Sequence, residues 1–153
     1  MRKRLVLAGV VAALAVPVGA CSTSSEYVVQ GTEKSVGCDG VIEITRDQED
    51  VNVVNVVVVN LPPPERHQKN LRAFVVWLTA KDGAPVRAGR LAYDPDARRG
   101  TLRVTTPNDQ VFVQITAETS SRVDKPSEFV IMSKHVTLTG GGNQGSTVDD
   151  VAM

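Results

Sequence analysis

The stretch "VNVVNVVVVNL", Val51 to Leu61, decides the fold class. Seven of its eleven residues are valine. Branching at Cβ costs valine side-chain freedom in a helix and suits it to the pleated surface of a sheet. Alternate positions place apolar side chains on both faces, with Asn55 interrupting one of them. That is the pattern of a central strand covered, at least in part, on both sides.

The neighbouring segments read the same way. "LRAFVVWLTA" (Leu71 to Ala80) is also apolar on both faces, with Phe74, Val76 and Leu78 on one and Val75 and Trp77 on the other. "KDGAP" (Lys81 to Pro85) and "DPDARRG" (Asp94 to Gly100) are turns. Between them "AGRLAYD" (Ala88 to Asp94) is a strand aligning Leu91 with Tyr93. "TLRVTT" (Thr101 to Thr106) points Leu102 and Val104 inward, and "PND" (Pro107 to Asp109) closes a hairpin onto "QVFVQITAE" (Gln110 to Glu118). "EFVIMSKHVTL" (Glu128 to Leu138) is the last strand. Toward the N-terminus, "GVIEITR" (Gly40 to Arg46) and "EYVVQ" (Glu26 to Gln30) complete the set. No segment sustains a helical period.

Short strands with turn residues every ~8 to 12 positions specify an all-β fold. The expected architecture is an antiparallel β-sandwich, immunoglobulin-like in size and spacing, with about seven or eight strands and Trp77 as its core tryptophan. A small β-barrel is the alternative. The domain spans residues 26–138, and "GGGNQGSTVDDVAM" (Gly140 to Met153) gives residues 139–153 the composition of a flexible tail.

The signatures of chemistry are missing from the sequence. His67 and His135 lie in no metal-ligand spacing, and "DPDARRG" has Arg98 where a calcium loop needs an oxygen. There is no G-x-S-x-G nucleophile elbow and no Walker-type phosphate loop. The expectation is a non-enzymatic chain with no catalytic residues, no metal and no cofactor. The most unusual loop is "PPPERHQKN" (Pro62 to Asn70). Its prolines stiffen the backbone into an extended left-handed helix that orders at little entropy cost. It reads as a rigid connector or as a recognition loop presenting Glu65, Arg66 and His67.

Two cysteines remain. Cys38 sits in the turn "GCDG", and Cys21 follows "MRKRLVLAGVVAALAVPVGA". That opening has a basic start, an apolar run from Leu5 to Val16 and small residues before Cys21. These are the three regions of a secretory signal peptide, residues 1–20. "VGAC", with cleavage between Ala20 and Cys21, resembles the lipobox of bacterial lipoproteins. The resemblance implies diacylglycerol on the Cys21 sulfur, acylation of its new amino group, and a short tether over residues 21–25. Two or more acyl chains hold a protein firmly to a bilayer. If Cys21 carried no lipid, a Cys21–Cys38 disulfide would compete for the same sulfur.

Loss of residues 1–20 removes three of the 17 basic residues and no acidic one, leaving 14 against 17 and a formal charge of −3. Mild acidity argues against a nucleic-acid partner and against a polybasic contact with lipid. The lipobox implies membrane attachment through the N-terminal lipid and partners among envelope proteins or the cell wall. With Ser22 after the lipidated position, the outer membrane is favoured in a Gram-negative cell.

The segment from Phe74 to Glu118 is similar to the extracytoplasmic domain of anti-sigma-K-type factors. The shared positions are Val76, Trp77, Leu78, Gly83, Gly89 and Thr116 to Glu118. They are core and turn residues, so the similarity implies a fold and not sigma-factor sequestration. The expected function is that of a lipid-anchored binding or structural module of the envelope. A small-ligand carrier or sensor with a pocket between the sheets is the alternative.

Overall fold

A computed structural model describes residues 23–139. Within them, nine strands form two antiparallel sheets packed face to face. The strands are β1 (Ser24–Gln30), β2 (Asp39–Arg46), β3 (Asn52–Val59), β4 (Ala73–Ala80), β5 (Val86–Arg90), β6 (Ala92–Asp94), β7 (Arg99–Thr106), β8 (Gln110–Glu118) and β9 (Val130–Thr137). One sheet has the order β1-β2-β3-β7-β6 and the other β5-β4-β8-β9. With β1 set aside, this is the immunoglobulin arrangement A-B-E-D against C′-C-F-G. The sheets do not close into a barrel.

The period-2 pattern builds the core. Ile42 and Ile44 from β2, Val54, Val56 and Val58 from β3, Phe74 and Val76 from β4, and Val113 and Ile115 from β8 are all buried between the sheets. One flank is tied by Tyr27, whose hydroxyl donates to the Thr137 carbonyl at 2.8 Å and accepts from the Thr137 amide at 3.0 Å. On the other flank the chain itself crosses at Leu91. Arg90 pairs with Val75 in one sheet, and Ala92 pairs with Thr101 in the other. Leu91 is fully buried, and its amide donates to the Phe74 carbonyl at 2.9 Å. Its side chain lies against Gly100, where a Cβ would meet Leu91 Cδ1 at 2.9 Å.

That crossing corrects one expected strand. Residues 88–94 are not continuous but end one strand and begin another, which raises the count from eight to nine. Pro107 to Asp109 also do not close a hairpin, because β7 and β8 belong to different sheets. Local alternation fixes which residues face inward but not which sheet a strand joins. β3 is central as expected, yet its outward residues are unevenly covered: Val53 is buried, Val57 half-buried and Val59 exposed. Asn55 is satisfied there, donating to Glu43 Oε2 at 3.1 Å.

Trp77 is fully buried but lies outside the core between the sheets. It occupies the outer face of β4 with Val75, beside the connection formed by residues 119–129. Its Nε1 donates to Thr116 Oγ1 at 2.8 Å, and Thr116 in turn bonds the buried Glu118. Glu118 also accepts from the Ser127 amide at 2.8 Å, and Arg87 donates to the Ser121 carbonyl. These bonds draw the connection across the outer face, so both faces of β4 are covered, one by the opposite sheet and one by a loop.

β1 begins at Ser24, two residues earlier than the sequence indicates, and takes Ser24 and Ser25 from the expected tether. Ser24 pairs with Thr45, Ser25 with Ile44, and the Arg46 amide donates to the Thr23 carbonyl at 3.0 Å. Cys21 and the tail from residue 140 lie outside the described residues, but Thr139 bonds Ser25 at 2.9 Å. Both ends of the described chain therefore sit at one end of the sandwich, here the near end. Residues 31–38, 60–72 and 95–98 form the far end, together with the two ends of the 119–129 connection.

Replacing Leu91 with alanine should cost about 2 to 5 kcal/mol, the range for a buried leucine whose site cannot collapse. Urea unfolding followed by Trp77 fluorescence measures it. A cost below about 1 kcal/mol would mean that the crossing does not depend on this side chain.

Candidate functional site

The Pro62–Asn70 segment lies at the far end, where β3 gives way to β4. Only part of it is extended: Pro63 has φ −54° and ψ 147°, and a helical turn, Pro64–His67, follows. Proline suits the first position of such a turn, because its missing N–H would have no partner there. The expected left-handed extended helix thus stops after Pro63.

Glu65 and Arg66 are exposed, as a recognition loop requires. His67 is not presented to solvent in the same way. Its ring is half-buried and meets Phe74 and Phe129 edge-on, with centroids 6.0 and 5.5 Å away. Nδ1 lies 3.2 Å from the Lys34 carbonyl, which can only accept, so Nδ1 carries the proton. Nε2 is buried and has no hydrogen-bond partner among the described residues. Burial pushes the His67 pKa down, against the weaker opposing pull of the Lys34 and Pro62 carbonyls. Lys34 adds a cation at this spot, its Nζ donating to the Glu128 carbonyl at 2.7 Å and lying 5.3 Å from the Phe129 ring centre. The imidazole is a neutral packing piece that fastens the proline loop to the 31–38 and 119–129 segments.

The turn after β6 completes this end. Asp94 Oδ1 accepts from the amides of Asp96 and Ala97 at 3.0 and 3.1 Å. Arg98 takes the left-handed conformation, φ 51°, and its carbonyl accepts from the Leu61 amide at 2.9 Å. Its guanidinium donates to the Asn60 carbonyl at 3.2 Å. Tyr93 donates to the Leu61 carbonyl at 2.7 Å, and burial raises its pKa. Sequence reading missed Arg98 as a site residue, since nothing local says that residues 94–100 meet the proline loop.

Two clefts open side by side between these segments. One, of about 500 Å³, is lined by Pro62, Pro63, Arg66, His67, Pro95 and Arg98. The other, of about 250 Å³, includes Pro63, Glu65, Arg72, Arg90, Tyr93 and Pro95. Pro63 and Pro95 are common to both. A third cleft of about 530 Å³ lies at the near end, between the β4–β5 turn and the end of β9, where Lys81 and Asp82 offset each other. Each opens to the surface.

The remaining chemistry is sparse. Cys38 is buried, and burial raises its thiol pKa, so the thiolate that would react is disfavoured. At the near end Arg46 pairs with Asp50 at 2.8 Å and with Asp109. Asp109 is held below the usual carboxylate range first by the Asn52 amide and then by Arg46. Among the described residues no three His, Cys, Asp or Glu side chains gather as a metal site, and no helix is long and apolar enough to cross a membrane. Compared with protein-family models, with curated proteins and with solved structures, the chain matches none.

The depressed His67 pKa has a measurable consequence. Below pH ~6.5 the unfolded chain binds more protons than the folded one, so stability rises with pH through this range. The contribution of neutral His67 is complete above that pH and is lost as pH falls toward the folded value. Urea midpoints between pH 8 and 5 should drop with acid, and His67→Phe should flatten the drop. A variant with the same pH slope as the wild type would show that His67 takes up no extra proton on unfolding.

Proposed function

We propose that the protein is a lipid-anchored, non-enzymatic binding module of the bacterial envelope that meets its partner with the far end of the sandwich. The observation that carries this reading is the distance between the two cysteines' surroundings. Cys38 adjoins Asp39, while Thr23 hydrogen-bonds at Arg46, the opposite end of β2. The seven steps between them span about 23 Å at ~3.3 Å per residue. Two residues from Thr23 back to Cys21 reach at most ~7 Å, and a disulfide needs Cα atoms within ~7 Å. The competing Cys21–Cys38 bridge is therefore out of reach, which leaves the Cys21 sulfur available for the lipid that "VGAC" implies.

The same geometry supports the orientation. An anchor at Cys21 joins the fold at the near end, with only Ser22 between Cys21 and Thr23. The loops there carry Asp47, Glu49, Asp50, Asp82 and Asp109 against Arg46 and Lys81. Acidic loops are repelled by an anionic leaflet, which turns the opposite end, with Glu65, Arg66 and the clefts, toward other envelope components. In a Gram-negative cell the membrane would be the outer one.

Cells fed a labelled fatty acid should label the wild-type protein but not Cys21→Ala, and globomycin should leave the wild type unprocessed. Label on Cys21→Ala would refute the anchor. For the orientation, a photocrosslinking side chain in place of Gln68 should capture an envelope partner in intact cells, and one in place of Gln48 should not. Capture only from position 48 would reverse the assignment of ends.

A further inference from the structure

The two far-end clefts share a wall, Pro63 and Pro95, and bear cations on both sides of it. Arg66 and Arg98 line one, and Arg72 and Arg90 line the other. None of the four pairs with a carboxylate among the described residues, while Arg72 Nη1 donates to the Lys69 and Leu71 carbonyls and Arg98 to that of Asn60, leaving their remaining N–H groups for a ligand. Glu65 is the only carboxylate lining either cleft, and the nearby Asp94 is engaged by the amides of its own turn. Guanidinium groups present a planar fork that matches a carboxylate in a bidentate pair. Part of the lining between them is apolar, formed by Pro63 and Pro95 and, in the smaller cleft, by the ring of Tyr93. A uniformly charged polymer makes no use of such walls, whereas a peptide mixing acidic and apolar side chains does.

We propose that these abutting clefts are one docking surface for an acidic peptide segment of a protein partner. Its carboxylates pair with Arg66 and Arg98 on one side of the proline wall and with Arg72 and Arg90 on the other. Glu65 disfavours a run of more than a few negative charges and so limits how acidic the segment can be. This surface rests on the reading of the far end as the partner-facing end.

The test uses the purified full chain and a fluorescein-labelled peptide of alternating glutamate and leucine, with anisotropy as the readout. The peptide should bind, more tightly at low salt than at high. The double variant Arg66→Ala/Arg98→Gly should weaken binding about tenfold or more, the effect of losing two charge-assisted contacts. Glycine is chosen at 98 because it accepts the left-handed backbone without strain. An unchanged urea midpoint separates loss of binding from loss of fold. Glu65→Gln should tighten binding. Three results would overturn the surface: no binding by the wild type, binding that ignores Arg66→Ala/Arg98→Gly, or tighter binding of polyphosphate than of the peptide. The last would assign the clefts to a phosphate polymer. Acyl labelling and crosslinking from Gln68 do not depend on this peptide, so a failure here is distinguishable from a failure of the anchored-module reading.

Discussion

The body of this protein depends on one buried leucine at a change of sheet. Leu91 separates a residue paired in one sheet from a residue paired in the other, with no loop between them. Its amide stays with the first sheet, on the Phe74 carbonyl, while its side chain fills the space that Gly100 leaves open in the second. A backbone group buried at such a corner has no water to turn to, so the bond to Phe74 is an obligation of the fold. The crossing brings the 94–100 turn beside the proline loop. The far-end clefts exist because of that meeting.

How much of this could be read from the sequence follows from the range of each interaction. Alternation is local, and it puts Phe74, Val76 and Leu78 on one face and points Leu102 and Val104 inward, where both pack against the core. It also read β4 as apolar on two faces. It could not say that the second face is covered by the 119–129 connection, because that cover depends on Arg87 meeting Ser121 and Ser127 meeting Glu118 across many residues. Trp77 was accordingly expected between the sheets and lies outside them. The "PND" turn looks like a hairpin turn whether its strands pair with each other or not.

The site shows the same division. The prolines marked the loop, and Glu65 and Arg66 are exposed on it. His67, adjacent in sequence, turns inward because Phe74 and Phe129 offer it an aromatic seat and Lys34 a carbonyl. Arg98, Arg72 and Arg90 come from three other segments and carry no motif. A composition-level charge near neutrality hides them, since the acidic loops at the near end offset their sum. Only placement separates the two signs.

The pairing of β1 with β2 has a mechanical meaning. Seven residue pairs join the two strands over the full length of β1, and the chain enters β1 at the near end. A load applied at Thr23 and resisted at the far end runs along the strand axis, at right angles to the interstrand hydrogen bonds. Such a load falls on all the pairs together and must shear them at once. The same load across the strand would open them one after another, like a zipper. The Tyr27 hydroxyl, bonded twice to Thr137, adds a brace to the second sheet along this path. The first strand is thus built as a tension member, suited to holding the domain against a pull between its first residues and its far end.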